Sequence, residues 1–183
     1  MNDLQKWLEA QKEFLSYEML GRSLAYNPYP PRAFSVLDEG SLINIDEITH
    51  LNPFNFIDLE NIKDSKIFIL EMKRENGAPI NEGLESISYL RHYKTGLIFV
   101  KDNFIDTYQV LQMAVYGADG IILDSLKNEN LALAVSLNLF SVLKVDSIKE
   151  ITKGILNHIN GFLVSSNDLV RVIPKGKIII LDS

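Results

Sequence analysis

From residue 67 onward the sequence repeats one pattern: a short, largely apolar run that gives way to a polar or charged side chain. Ile67–Leu70 is followed by Glu71, Gly96–Val100 by Lys101 and Gly120–Leu123 by Asp124. Phe140–Val145, Gly161–Val164 and Lys177–Leu181 complete the series, the last two running into Ser165 and Asp182. Stretches with helical apolar spacing lie between most of them, near 84–93, 104–117, 127–138 and 147–158. Short runs apolar on both faces, alternating with helices, describe a parallel sheet sealed by helices. Such sheets place their sites at the C-terminal ends of the strands, where the polar residues collect here.

Upstream the text is less regular. Leu4, Trp7, Leu8, Phe14, Leu15 and Met19 predict a helix over 3–20, with Gly21 as its stop. Asn27–Pro31 holds three prolines and is a loop. Residues 33–66 carry short apolar patches broken by Asp, Asn and Pro53. The organisation expected is a single domain: an N-terminal helical and irregular segment, 1–66, packed on a sheet built from 67–183. A hydrophobic content of 46% over 183 residues is enough for one such core.

Charge and composition narrow the function. A net charge of −6 argues against nucleic acid or an anionic membrane as partner. It is compatible with a small phosphorylated substrate held by a few lysines. The absence of cysteine removes disulfides and thiolate chemistry. His50, His92 and His158 show no ligand spacing, so they read as surface or boundary residues, with no metal expected. No Gly-x-Gly-x-x-Gly or P-loop text occurs, which leaves dinucleotide and nucleotide sites without support. The N-terminus is polar and amphipathic, and no apolar run approaches the ~18 residues of a membrane span. These features predict a soluble, cytoplasmic protein.

Lys101-Asp102-Asn103-Phe104-Ile105-Asp106-Thr107-Tyr108-Gln109-Val110, followed by Gly117-Ala118-Asp119-Gly120-Ile121-Ile122-Leu123, carries a specific resemblance. The first block resembles Lys-Asp-Phe-Ile-Ile-Asp-Pro-Tyr-Gln-Ile at strand 3 of the indole-3-glycerol phosphate synthase family. The second resembles the Gly-Ala-Asp-Ala-Val-Leu-Leu that enters the family's strand 4. Ile69-Leu70-Glu71-Met72-Lys73-Arg74 is similar to its strand 1 text, Val164-Ser165-Ser166-Asn167-Asp168-Leu169 to strand 6, and Leu181-Asp182-Ser183 to strand 7. Arg32-Ala33-Phe34 is similar to a segment before the barrel.

The resemblance implies an α/β fold, an incomplete or modified (β/α)8 TIM barrel with about six recognisable parallel strands. It implies closure of 1-(2-carboxyphenylamino)-1-deoxyribulose 5-phosphate to indole-3-glycerol phosphate in tryptophan biosynthesis, with loss of carbon dioxide and water. No cofactor or metal is implied. Lys101 takes the position of the general acid, and Glu71 and Lys73 take the strand 1 positions of the same site. Ser165, Asp182 and Ser183 fall at substrate-binding positions. Each residue also has a plainer reading: a solvated strand-end lysine for Lys101, a surface ion pair for Glu71 and Lys73.

Three departures bear on activity. The family's strand 5 glutamate, a base, is replaced by Lys144. Asp124 stands where the family is apolar, so a rewired Lys101–Asp124–Lys144 cluster is one expectation and a helix-capping Asp124 the other. Next, Lys73–Pro79 replaces the family's strand 1 loop, and a whole βα unit is missing. Phe34–Glu39 superficially resembles the lost strand, either by coincidence or because the N-terminal segment fills the gap. Finally, Ser183 ends the sequence before the family's unit 8, which contributes to phosphate binding. Six strands would leave edges open, to be covered by residues 33–66, a second copy or a partner subunit. Two functional readings follow: a synthase, or a catalytically inactive relative acting as a binding or regulatory protein. The loss of the strand 5 base favours the second on chemistry alone.

Overall fold

The computed structural model describes residues 3–72 and 82–182. Each apolar run noted above is a strand, and every strand of the sheet lies parallel to its neighbours. In chain order the elements are α1 (Asp3–Phe14), α2 (Tyr17–Ser23), α3 (Ala33–Val36), β1 (Leu42–Ile43), β2 (Ile48–Leu51) and β3 (Ile67–Glu71). Then follow α4 (Glu82–Tyr93), β4 (Leu97–Lys101), α5 (Thr107–Tyr116), β5 (Gly120–Leu123) and α6 (Asn128–Ser136). The last are β6 (Phe140–Val145), α7 (Ile148–Leu156), β7 (Gly161–Val164), α8 (Asn167–Val170) and β8 (Ile178–Leu181).

The sheet order is β1-β8-β7-β6-β5-β4-β3-β2. Its two outer strands are consecutive in the chain, separated only by a 3-10 turn, Ile45–Glu47. Leu42–Leu51 therefore acts as one split strand. Its first half pairs with β8 through Leu42↔Ile179 and Ile43↔Ile180, and its second half pairs with β3 through Ile48↔Ile67 to Leu51↔Leu70. The result is a nearly closed α/β barrel whose edge positions are filled from within the chain. The place of the missing βα unit is filled by no strand, since β3 pairs directly with β4; residues 42–51 instead close the wall between β8 and β3, and Phe34–Glu39 lies in neither place, Ala33–Val36 making a helical turn. Strands before residue 66 thus pair with strands after it, and the N-terminal segment is part of the wall as well as a cover over it.

Side chains alternate in and out along each strand. Ile43, Ile48, Ile67, Ile69, Leu97, Phe99, Ile122, Phe140, Val142, Leu163, Ile178 and Ile180 fill the barrel interior. Phe68, Leu70, Ile98, Val100, Ile121, Leu143, Phe162 and Val164 face outward against the helices. Gly120 keeps the interior packed: a Cβ there would lie 2.5 Å from Phe99 Cε1 and 2.6 Å from the Phe140 carbonyl oxygen.

The expected 3–20 helix is two helices. The chain breaks after Phe14, and Ser16 caps α2 by accepting a hydrogen bond from the Met19 amide. Gly21 lies inside α2, facing Leu111, so it serves close helix approach instead of termination. Leu4, Leu8 and Leu20 pack with Tyr108 and Leu111 of α5. Tyr108 Oη donates to the Leu15 carbonyl at 2.8 Å, and Lys12 pairs with Asp106 at 2.7 Å. At the N-terminal end of the strands, fully buried Asp119 binds Arg32 and Arg91 and accepts from the Ile98 amide. Arg91 also donates to the Pro30 carbonyl. Burial pushes the Arg91 guanidinium below its ordinary value, against the pull of Asp119. Among the described residues, no helix is long and apolar enough to cross a membrane.

Candidate active site

The inward positions of the strands are apolar low in the barrel and turn polar at the C-terminal rim. Ile67 and Ile69 lead to Glu71, Leu97 and Phe99 to Lys101, and Phe140 and Val142 to Lys144. Glu71 and Lys101 are register partners on β3 and β4, and Lys101 Nζ donates to Glu71 Oε1 at 3.0 Å. The Met72 amide donates to the Lys101 carbonyl at 2.9 Å, extending the ladder past the pair. The ammonium has three donors, and Glu71 takes one.

The loop after Lys101 is fixed by one side chain. Gln109, on the first turn of α5, is buried. Its Nε2 donates to Asp102 Oδ2 and to the Asn103 carbonyl, and its Oε1 accepts from the amides of Ile105 and Asp106. Asp106 in turn caps α5 by accepting from the Tyr108 amide, and Asn130 donates to the Phe104 carbonyl. Burial alone would raise the Asp106 carboxyl. The hydrogen bonds from Lys12 and the Tyr108 amide reverse this and hold it below its ordinary value. The Lys-Asp-Asn-Phe-Ile-Asp-Thr-Tyr-Gln text thus presents one lysine and spends its other polar groups on holding the strand tip in place.

Next to the Glu71 strand, on β2, stands His50, read from sequence as a surface or boundary residue. Ile48 faces the barrel interior and Leu51 packs outward, so His50 faces the interior. His50 Nε2 lies 2.8 Å from Asp182 Oδ1, just past β8. The only sequence signal was the strand-like Ile48-Thr49-His50-Leu51, too short to read against its broken surroundings.

The other expected residues are dispersed. Asp124 is exposed and follows the end of β5 at Leu123, so strand alternation does not turn it inward as it does Ile122. It shares a cavity of about 490 Å³ with Lys144, Ser125, Asn128, Glu150 and Lys153. No ion pair joins Asp124 to Lys101 or Lys144 among the described residues; Lys101 is bound to Glu71. Ser165 is exposed at the end of β7. Lys73 and Ser183 lie outside the described residues. Among the described residues, no group of three His, Asp or Glu side chains is placed to hold a metal ion.

The chain is 33% identical to the indole-3-glycerol phosphate synthase of Campylobacter hominis, over 96% of its own length and 79% of that protein. It belongs to the indole-3-glycerol phosphate synthase family. The synthase of Sulfurimonas denitrificans is 28% identical over 96% of this chain and 78% of its own. No protein-family profile matches the chain. The 2-keto-3-deoxy-6-phosphogluconate aldolase of Zymomonas mobilis superposes with a TM-score of 0.58 at 10% identity, covering 82% of this chain and 75% of that one. That likeness bears on the fold alone.

In this member of the indole-3-glycerol phosphate synthase family, Lys101 and Glu71 stand side by side at adjacent strand tips. At the rim of β6, Lys144 is inward on the register Lys144↔Leu163. The wall position taken by Leu42–Leu51 brings His50 to the rim.

Proposed function

We propose that this chain closes 1-(2-carboxyphenylamino)-1-deoxyribulose 5-phosphate to indole-3-glycerol phosphate, with Lys101 as general acid. The observation that carries the proposal is the Lys101–Glu71 pair, 3.0 Å apart at the rim of a family barrel. Ring closure makes a bond between an aryl carbon and the ketone carbon, and the ketone oxygen gains negative charge as it forms. An ammonium at the strand tip supplies the proton, a contribution of typically about 10²–10⁴-fold. Glu71 holds the amine by one hydrogen bond, which leaves two N–H groups for substrate oxygens.

Loss of carbon dioxide then restores the aromatic ring, and departure of the new hydroxyl as water completes the pyrrole. Lys73, Ser165, Asp182 and Ser183 are assigned to substrate binding, and Asp124 and Lys144 to the polar rim on the β5–β6 side. The two lysines, with Lys73, offer the positive charge that a phosphorylated, carboxylated substrate needs in an otherwise acidic chain.

Turnover of the purified protein, followed by indole absorbance, tests this. Wild type is expected to form product, and Lys101→Ala to lose about 10²–10⁴-fold in kcat. A wild-type chain that is folded and yields no product, or a Lys101→Ala variant as fast as wild type, would overturn the assignment.

A further inference from the structure

We propose that His50 is the proton acceptor of the ring-closing reaction, in the role that the family's strand 5 glutamate leaves open where Lys144 replaces it. This rests on the function proposed above. Four wall positions in succession carry Asp182, just past β8, and His50, Glu71 and Lys101, on β2, β3 and β4. They form a polar arc at one rim.

The chemistry of the arc assigns its members. An ionised carboxylate only accepts hydrogen bonds, so at His50 Nε2 the imidazole donates to Asp182 Oδ1 at 2.8 Å. In the neutral imidazole this bond places the lone pair on Nδ1, and no described residue bonds to that atom. The imidazole side chain is 46% exposed, so a substrate can reach it. Glu71 is bound to the Lys101 ammonium, and Asp182 is bound to the imidazole. His50 is therefore the member of the arc left to accept a proton, with Asp182 as its positioning residue. Among the described residues, other charged or polar groups at the C-terminal ends of the strands include Lys144 on β6, Ser165 past β7 and the exposed Asp124 past β5.

The step that needs a base comes after decarboxylation. Lys101 protonates the departing hydroxyl, and the C–O bond breaks to release water. The C–H bond on the adjacent carbon breaks, and its electron pair becomes the ring double bond. The released proton goes to His50 Nδ1. Over the cycle Lys101 delivers two protons, one to the ketone oxygen and one to the leaving hydroxyl. His50 collects one proton and returns it by way of solvent, and the second is drawn from water to balance loss of the carboxylate as carbon dioxide.

Steady-state kinetics against pH on wild type, His50→Gln, Asp182→Asn and the double variant test this. Glutamine keeps an amide donor toward Asp182 but cannot take up a proton. His50→Gln is expected to lose about 10²–10⁴-fold in kcat, with KM changed by less than about 3-fold. Its pH–rate profile should lack the acid limb that a neutral imidazole base imposes on wild type. Asp182→Asn should lose less, and the double variant should be no slower than His50→Gln, as expected of groups acting as one unit. His50→Gln retaining wild-type kcat, or retaining the acid limb, would overturn the assignment while leaving the proposed function standing. Should the glutamine variant fail to fold, Asp182→Asn decides: reduced kcat with the limb kept supports the dyad, and unchanged kcat overturns it. A folded wild type without turnover removes the proposed function, and this assignment with it.

Discussion

Removing the Asp119 carboxylate should be the most damaging single change at the base of the barrel. Asp119 is fully buried and ties three parts of the chain together: Arg32 before α3, Arg91 on α4 and the Ile98 amide on β4. Arg32 also donates to the Thr95 and Gly96 carbonyls, so it keeps two partners, while Arg91 keeps the Pro30 carbonyl. Asp119→Ala leaves both guanidinium charges without an anion, and the Arg91 side chain is only 4% exposed. Removing one partner of a buried ion pair costs about 3–5 kcal/mol. With an unfolding entropy of about 2.1 cal/mol/K per residue, a chain of this length has about 0.38 kcal/mol/K at its midpoint. The melting temperature should therefore fall by about 8–13 °C. Asp119→Asn keeps an acceptor for Ile98 and one guanidinium, and should fall by about half as much. Differential scanning calorimetry measures both. A cooperative Asp119→Ala transition within about 3 °C of wild type would refute the view that this network closes the base.

Two further predictions concern the rim and the N-terminal helices. Gln109→Leu strips four hydrogen bonds from the loop behind Lys101. Steady-state kinetics should show kcat falling by about 10-fold or more with KM little changed, because the strand tip loses its bracing. The Lys12–Asp106 pair should contribute stability over a bounded pH window. Lys12 is raised above 10.5, chiefly by its hydrogen bond to Asp106, so its contribution is complete below 10.5 and lost as pH rises through the raised value. Asp106 is lowered below 3.8, so its contribution is present above 3.8 and lost as pH falls through the lowered value. Urea unfolding of wild type and Lys12→Met should differ by a constant amount between about pH 5 and 9 and converge only as pH falls below 3.8 or rises above 10.5.

Much of this architecture was legible in the sequence because β3 to β8 are buried on both faces, and such strands announce themselves as unbroken apolar runs. The helices between them follow from apolar spacing, and α5 adds a capping box at Asp106 and Gln109 and a left-handed Gly117 at its end. The strands of Leu42–Leu51 were not legible, since each is two to four residues long and only two of their six positions, Ile43 and Ile48, are buried. Periodicity needs a longer window than that. Their partners are also remote in sequence, so only the closed sheet shows that they fill the wall.

The rim follows the same division. Glu71 and Lys101 come together because they end adjacent apolar strands in register. The His50–Asp182 contact spans 132 residues and had no motif to mark it. The Lys101–Asp124–Lys144 cluster was an extrapolation of strand alternation, and β5 stops one residue before Asp124.

The most direct measurement uses substrate labelled in its carboxyl carbon. Carbon dioxide released and indole formed are counted in the same reaction. Ring closure at Lys101 predicts one labelled carbon dioxide for each indole, with both reduced together in Lys101→Ala. Substrate bound and recovered intact, with the label retained, would contradict it.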